Sequence, residues 1–326
     1  MRRRVVLLGV LGAGVGLGGA QAQTPAAGFP ARGVRIIVPY AAGGGSDIVG
    51  RILAAQAGQA TGLPFSVENR GGGASIPGTQ AIVVAPPDGT TVGIVDLALV
   101  VNPAMFGARL PYDTLRDLAP VGVLVTAPTV MLAHHAAPAR SVVEVVAAAR
   151  ARPGAVSLAH AGTGTANHLA SVQFQLAAGL EVVQVSYRGG GPTVTAVVTG
   201  EVPYGFGAIP TAKGHIDEGR IRALAVAGPD RSPALPDTPT FAELGLPGVD
   251  VVGFWGLVAP AGVPAPVLER LHALLVAPAR EATVAARLEG LGYAVVAGSR
   301  QDFAAMVERE VAKWRVVIGQ AGIVPD

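Results

Sequence analysis

The chain has no cysteine. A disulfide framework, a cysteine-based zinc site and a thiol nucleophile are therefore all excluded. Charge is scarce too: Asp, Glu, Lys and Arg make up 14% of 326 residues, and aromatic residues only 5%. Half of the chain is hydrophobic. Disordered chains show the reverse balance, so that class is excluded as well. A surplus of one charge is also missing. The formal net charge is +2, but three of the 24 basic residues are Arg2, Arg3 and Arg4. Without residues 1–22, 21 basic residues face 22 acidic ones. No basic excess remains to attract nucleic acid or an anionic membrane.

Long apolar runs are absent after the N-terminus. The most apolar stretch, 119–133, is broken by Pro120, Gly122 and Pro128, well short of the ~20 residues that span a bilayer. What is abundant is glycine and proline, 45 and 26 residues, with no G-X-Y period. That pattern implies many turns between short elements. The length implies two domains, since single cores rarely grow beyond about 250 residues.

Residues 1–22 read as an export signal. Arg2, Arg3 and Arg4 precede an apolar stretch from Val5 to about Leu17, and Ala20-Gln21-Ala22 supplies the small residues a signal peptidase reads. Cleavage is expected after Ala22. The apolar core is too short and glycine-rich for a membrane anchor. The arginine cluster leaves a twin-arginine route open beside the general secretory one.

Strand-like and helix-like runs then alternate. Strands are expected at Val34–Val38, Phe65–Glu68 and Thr91–Val95, with helices at about Ser46–Ala60 and Gly78–Ala85. A second set follows. It has strands at Val121–Leu124, Val130–Ala133, Val156–Ala159, Val182–Tyr187, Pro203–Phe206 and Ile221–Ala227. Its helices are Ala166–Ala177 and a run from Ser141 to about Ala151, where Glu144 completes a capping box. Gly228–Val249 reads as a crossover. A strand at Val251–Val258 and helices near Ala265–Ala277, Glu281–Leu291 and Gln301–Ala321 close the chain. In the last helix Phe303, Met306, Val307, Trp314 and Ile318 share a face. Alternation of this kind indicates βαβ units, a parallel sheet and an α/β fold.

Three glycine-rich loops each join a strand end to a helix start: Tyr40 to Asp47, His160 to His168, and Ser186 to Pro192. Glycines bring bare N–H groups close to a ligand, and a helix N-terminus adds partial positive charge. Such loops suit a carboxylate or a phosphate. The first is not a Walker loop, because no Gly-Lys-Ser/Thr follows. Gly162-x-Gly164-x-x-Asn167 lacks the third glycine of a dinucleotide fingerprint. Asp47 reads as a cap or loop organiser, and His168 as a loop-stabilising hydrogen-bonding residue. In open α/β sheets ligands sit outside the carboxyl ends of strands, so the three loops are expected to converge on one cleft. Enzyme arrangements do not appear: there is no G-x-S-x-G elbow and no H-E-x-x-H, and the adjacent His134 and His135 diverge.

These residues resemble the extracytoplasmic solute receptors of the Bug type, the substrate-binding proteins of tripartite tricarboxylate transporters. The likeness runs through nearly all of the chain after the export signal. It is carried by Val38-Pro39-Tyr40 with Gly43, Gly44 and Asp47, and by Val67-Glu68-Asn69-Arg70. Ala85-Pro86-Pro87-Asp88-Gly89-Thr90-Thr91, Asn102-Pro103, Gly162-x-Gly164 with His168-Leu169, and Tyr187-Arg188-Gly189 continue it. Arg222 to Val226, Pro236 to Thr240, Ala259 to Pro264, and Glu310 with Trp314 and Ala321-Gly322-Ile323 complete it.

The resemblance implies a two-lobed α/β periplasmic-binding-protein fold, a Venus flytrap of type II-like form. Residues 23–125 and 250–326 would form one lobe and 126–249 the other. It implies a small carboxylated ligand held by Tyr40, Ala42, Gly43, Gly44, Thr163, Thr165 and Tyr187, with Asp47, Asn167 and His168 organising the loops. It implies a periplasmic monomer without cofactor or metal that works with membrane transporter subunits. A ligand-presenting subunit for a sensor kinase and a carboxylic-acid-modifying enzyme are the alternatives.

The chain departs from the family at three places. Pro203 stands where the family has an aspartate, Ala208-Ile209 are apolar where it is often polar, and Asp96-Leu97-Ala98-Leu99 replaces a Ser/Thr-rich stretch. These departures suit a ligand with one carboxylate and an apolar or aromatic body, or one whose amine meets Asp96.

Overall fold

The computed structural model describes residues 33–321; the expected export signal lies outside the described residues. The first set of elements is β1 (Val34–Val38), α1 (Gly45–Thr61), β2 (Phe65–Asn69), α2 (Ile76–Val83), β3 (Thr91–Val95) and α3 (Ala98–Phe106). A single 17-residue strand, β4 (Leu118–His134), leads onward. The second set is α4 (Val142–Ala151), β5 (Ser157–His160), α5 (Ala166–Ala178), β6 (Val183–Ser186), α6 (Gly190–Thr199), β7 (Tyr204–Ala208), α7 (Ile209–Asp217) and β8 (Ile221–Ala227). The chain returns through β9 (Val252–Pro260) and ends in α8 (Ala265–Leu275), α9 (Ala282–Gly290), β10 (Ala294–Val295) and α10 (Arg300–Ala321).

The strands form one path, β2-β1-β3-β9-β4-β7-β5-β6, with β8 and β10 also paired to β4. β1, β2 and β3 run parallel, as do β5, β6 and β7. β4 joins the two parallel groups. Its stretch from Leu118 to Pro128 pairs antiparallel with β9, and its stretch from Thr129 onward pairs with β7 and β8. The handover at Pro128 and Thr129 gives a mixed α/β fold of two halves joined through the sheet.

Two expectations need correcting. The separate strands at Val121–Leu124 and Val130–Ala133 are one strand, despite Pro120, Gly122 and Pro128. The register against β9 shifts between Pro120 and Gly122 and again between Val123 and Val125. Such bulges accommodate a proline that cannot donate to the ladder. α3 has no counterpart among the helices the sequence suggests. Its Ala98, Leu99, Val100, Val101 and Met105 are all buried, so no polar face marks its period. Pro103 lies inside it and cannot donate to Leu99 O; the Thr114 hydroxyl does so instead, at 3.0 Å.

Elsewhere local signals match the elements. Ser141 Oγ accepts from Glu144 N at 3.2 Å and caps α4. Glu144 Oε2 reaches back to Arg140 N at 2.6 Å, one residue outside the usual partner. On α10, Phe303, Val307, Val311, Trp314 and Ile318 are buried at helical spacing. A side chain at Gly256 would lie 2.1 Å from the Phe303 ring, so only glycine lets α10 seat on β9. Phe174, Phe206 and Phe241 pack with ring centroids 5.7–6.1 Å apart in the second half.

Candidate functional site

The carboxyl ends of β1, β3, β5, β6 and β7 open on one cleft, with ≈ 520 Å³ of empty volume including its mouth. One wall is Tyr40 and the start of α1, Gly44 to Ser46. The opposite wall is Ala161, then Thr165 to Asn167 at the start of α5, Gly190 at the start of α6, and Thr211 in the first turn of α7. Asp96 and Leu97, at the start of α3, close one side. Ala127 and Thr129 of β4 and Gly253 to Trp255 of β9 form the floor. The cleft therefore faces the first turns of four helices, α1, α5, α6 and α7, and the residues just before α3. Each first turn leaves backbone N–H groups without intrahelical partners and carries positive partial charge.

The loop from Tyr40 to Asp47 is held from behind. Asp47 Oδ2 accepts from Gly43 N and from Arg51 Nε, both at 3.0 Å, and Asp47 Oδ1 accepts from Asn69 Nδ2 at 3.0 Å. Asn69 Nδ2 also donates to Tyr40 O at 3.2 Å. Burial opposes ionisation of Asp47, but the bonds from Arg51, Gly43 and Asn69 outweigh it and hold the carboxyl below its ordinary value. Trp255 braces the same turn. Its Nε1–H donates to Ser46 Oγ at 3.0 Å, its ring stands edge-on to Tyr293 at 5.2 Å, and Tyr293 OH donates to Gly45 O at 2.8 Å. A Cβ on Gly45 would lie 2.6 Å from the Trp255 ring, so the close fit requires glycine there.

The three glycine loops meet. Ala41 N donates to Arg188 O at 3.2 Å. A Cβ on Gly191 would lie 2.7 Å from Ala42 O, which measures how closely the first and third loops approach. In the second loop Thr165 caps α5: its Oγ1 accepts from His168 N at 3.3 Å and donates to Gly162 O at 2.6 Å. His168 Nδ1 in turn accepts from Gly164 N at 3.3 Å.

Of the residues singled out in the sequence, Tyr40, Gly44, Thr165 and Asn167 line the cleft. Ala42, Gly43 and Tyr187 line an adjoining outer groove with Gly191, Glu201 and His215. Tyr187 OH donates to Glu201 Oε1 at 2.8 Å; burial and that carboxylate push the phenol up to about 12. Thr163 and His168 are buried behind the cleft rather than lining it. Ser46, Thr129, Thr211, Phe254 and Trp255 line it without having been singled out. Thr211 is notable because its Oγ1 is buried without a hydrogen-bond partner among the described residues, and it borders both the cleft and the outer groove. The Pro210 signal for a helix start after β7 would have placed it at a strand-to-helix turn.

Among the described residues no Lys, Arg or His lines the cleft. Its charged side chain is Asp96, whose Oδ1 accepts from Tyr40 OH at 2.8 Å and from Ala98 N at 3.0 Å. Burial pushes the Asp96 carboxyl up to about 6 against those two bonds, and burial together with Asp96 holds the Tyr40 phenol well above its ordinary value. Among the described residues no group of three or more His, Asp or Glu side chains is placed to share a metal ion. What the cleft can do chemically is hold an anion by backbone N–H groups and hydroxyls.

The profile of the tripartite tricarboxylate transporter family receptors (TctC) matches residues 49–323. The chain belongs to that receptor family. It is 30% identical to protein BugT of Bordetella pertussis, over 97% of both chains. The solved structure of Rpa4515 of R. palustris with adipate superimposes with a TM-score of 0.87 at 29% identity, covering 91% of this chain and 99% of that one. MatC (Rpa3494) of Rhodopseudomonas palustris with bound malate gives 0.84 at 30%, covering 89% and 100%. These are substrate-binding proteins of the periplasmic-binding-protein fold, and this chain is a Bug-type solute receptor. Among the described residues no helix is long and apolar enough to cross a membrane.

Proposed function

We propose that this receptor captures a small organic acid between two lobes in the periplasm and delivers it to the membrane subunits of a tripartite transporter. One observation carries the reading: the first turns of four helices face a cleft that has no cationic side chain among the described residues. The ligand carboxylate lies against the N–H groups at Gly44–Ser46, Ala166–Asn167 and Gly190. Tyr40, Thr165, Asn167 and Thr211 are the polar side chains beside it. Ala42, Gly43 and Tyr187 form the outer rim. Asp47, Thr163 and His168 set the loops. The adipate and malate named for the two Rhodopseudomonas proteins support this class of ligand.

In this reading residues up to 125 and from 250 form one lobe and 126–249 the other, in keeping with the change of partners along β4. The export signal is cleaved after Ala22, the receptor acts as a monomer, and the ligand leaves unchanged. Thermal unfolding of the purified protein against a panel of small mono- and dicarboxylates tests it. A ligand at a hundredfold excess over its Kd adds about 2.7 kcal/mol of stability, a clear rise in Tm. Mass spectrometry of the recovered ligand should show it intact. No shift with any carboxylate, or a chemically altered ligand, contradicts the proposal.

A further inference from the structure

We propose that Asp96 is the specificity-determining residue of the cleft, and that the preferred ligand carries a cationic amine as well as a carboxylate. The inference deepens the receptor reading and rests on it. Asp96 sits where β3 ends and α3 begins, and its side chain lines the cleft. Its two hydrogen bonds from other residues both fall on Oδ1: the phenol of Tyr40 and the N–H of Ala98. Both donors are neutral. No Lys, Arg or His among the described residues forms an ion pair with it, and none lines the cleft. A half-buried carboxylate without a cation is costly, and proteins normally pair it or leave it protonated.

The bland account of Asp96 is that it caps α3, since Oδ1 accepts from Ala98 N two residues on. That role needs an oxygen acceptor and no charge. Asn or Ser would supply it without burying a carboxylate in a cleft built for anions. A second negative group beside the ligand carboxylate disfavours a dianionic ligand and favours one that brings its own cation. The remaining lining agrees. Trp255 borders the floor with its aromatic ring beside α1, and such a surface suits the methylenes next to an ammonium. Helix N-termini from α1, α5 and α6 take the carboxylate end, and Asp96 takes the ammonium end. The ligand class is an amino acid or a related aminocarboxylate.

The test pairs amino acids with their des-amino isosteres: L-glutamate with glutarate, L-aspartate with succinate, and L-leucine with 4-methylpentanoate. Binding to the purified protein is measured by calorimetry at pH 7.5. At least one amino acid should bind roughly tenfold or more tighter than its isostere, the scale of a hydrogen bond to a charged group. Asp96→Asn keeps the cap and the shape and should erase that preference; Asp96→Ser is the second variant, and circular dichroism of both should match the parent. If the des-amino acids bind as well as or better than the amino acids, the inference is overturned while the receptor reading stands. The same holds if Asp96→Asn keeps the preference. If no carboxylate in the panel binds, both fall together.

Discussion

Asp47 and Asp96 are carboxylates at the starts of two helices, yet their surroundings push their protons in opposite directions. Asp47 is held by Arg51, the Gly43 N–H and Asn69, which keep it ionised. Asp96 has two neutral donors and is pushed up to about 6 by burial. The consequences for stability have opposite signs. The folded protein binds the Asp96 proton more tightly than the unfolded chain, whose value is 3.8. Its favourable contribution is complete below that value and is lost as pH rises toward about 6. Ligand-free protein at neutral pH therefore carries a penalty on the order of 1–3 kcal/mol. Asp96→Asn removes it while keeping the cap and an acceptor for Tyr40. In urea unfolding without ligand, the variant should be more stable than the parent at pH 7.5, with the gap closing toward pH 4. Equal midpoints at pH 7.5 would show that the carboxylate is better solvated than its burial implies. At this scale the glycine loops and Asp47 are legible in sequence, because their chemistry is local. Trp255 is not: its partner Ser46 lies 209 residues away, and no local pattern announces such a contact.

Elements announce themselves by a run of β-branched and apolar residues between turn signals, or by one helix face that meets water. β1, β3 and β8 run between the residues that the sequence suggests, and α10 shows its buried stripe plainly. α3 has no such contrast, and its proline argues against a helix. What permits it is a tertiary bond: Thr114 Oγ1 supplies Leu99 O with the donor that Pro103 lacks. Thr114 is buried, so Thr114→Val should leave that carbonyl poorly satisfied and cost about 1–2 kcal/mol in urea unfolding. Pro103→Ala restores an N–H at the position that normally serves Leu99 O. In that background the same Thr114→Val change should cost distinctly less, and the difference between the two costs isolates the coupling. Equal costs in both backgrounds would mean that the hydroxyl does not compensate the proline. β4 hides for a related reason. Its prolines read as breaks, while the register shift that accommodates Pro120 forms only where β4 pairs with β9, and Pro128 falls where β4 changes partners.

At the scale of the whole molecule, the two halves are joined by continuous sheet on one side of the cleft and by glycine loops touching on the other. A backbone bond from Ala41 to Arg188 spans those loops, and Gly44 faces Gly190. A Cβ built on either glycine lies 3.7 Å from the Cα of the other, and Gly44 has an ordinary extended φ of −84°. That spacing is within reach of a disulfide. The chain contains no other cysteine, so a Gly44→Cys, Gly190→Cys pair has no competing partner. If a ligand favours the state in which these loops touch, it raises the population competent to cross-link. Oxidation of the double variant, followed by gel mobility without reductant, should therefore run faster with a bound carboxylate than without. Once cross-linked, the protein should neither release nor admit ligand, and reduction should restore exchange. Equal oxidation rates with and without ligand, or free exchange through the cross-linked form, would show that the touching loops are not the gate. The absence of cysteine, which first excludes a disulfide scaffold, is also what lets a single engineered bridge report on closure.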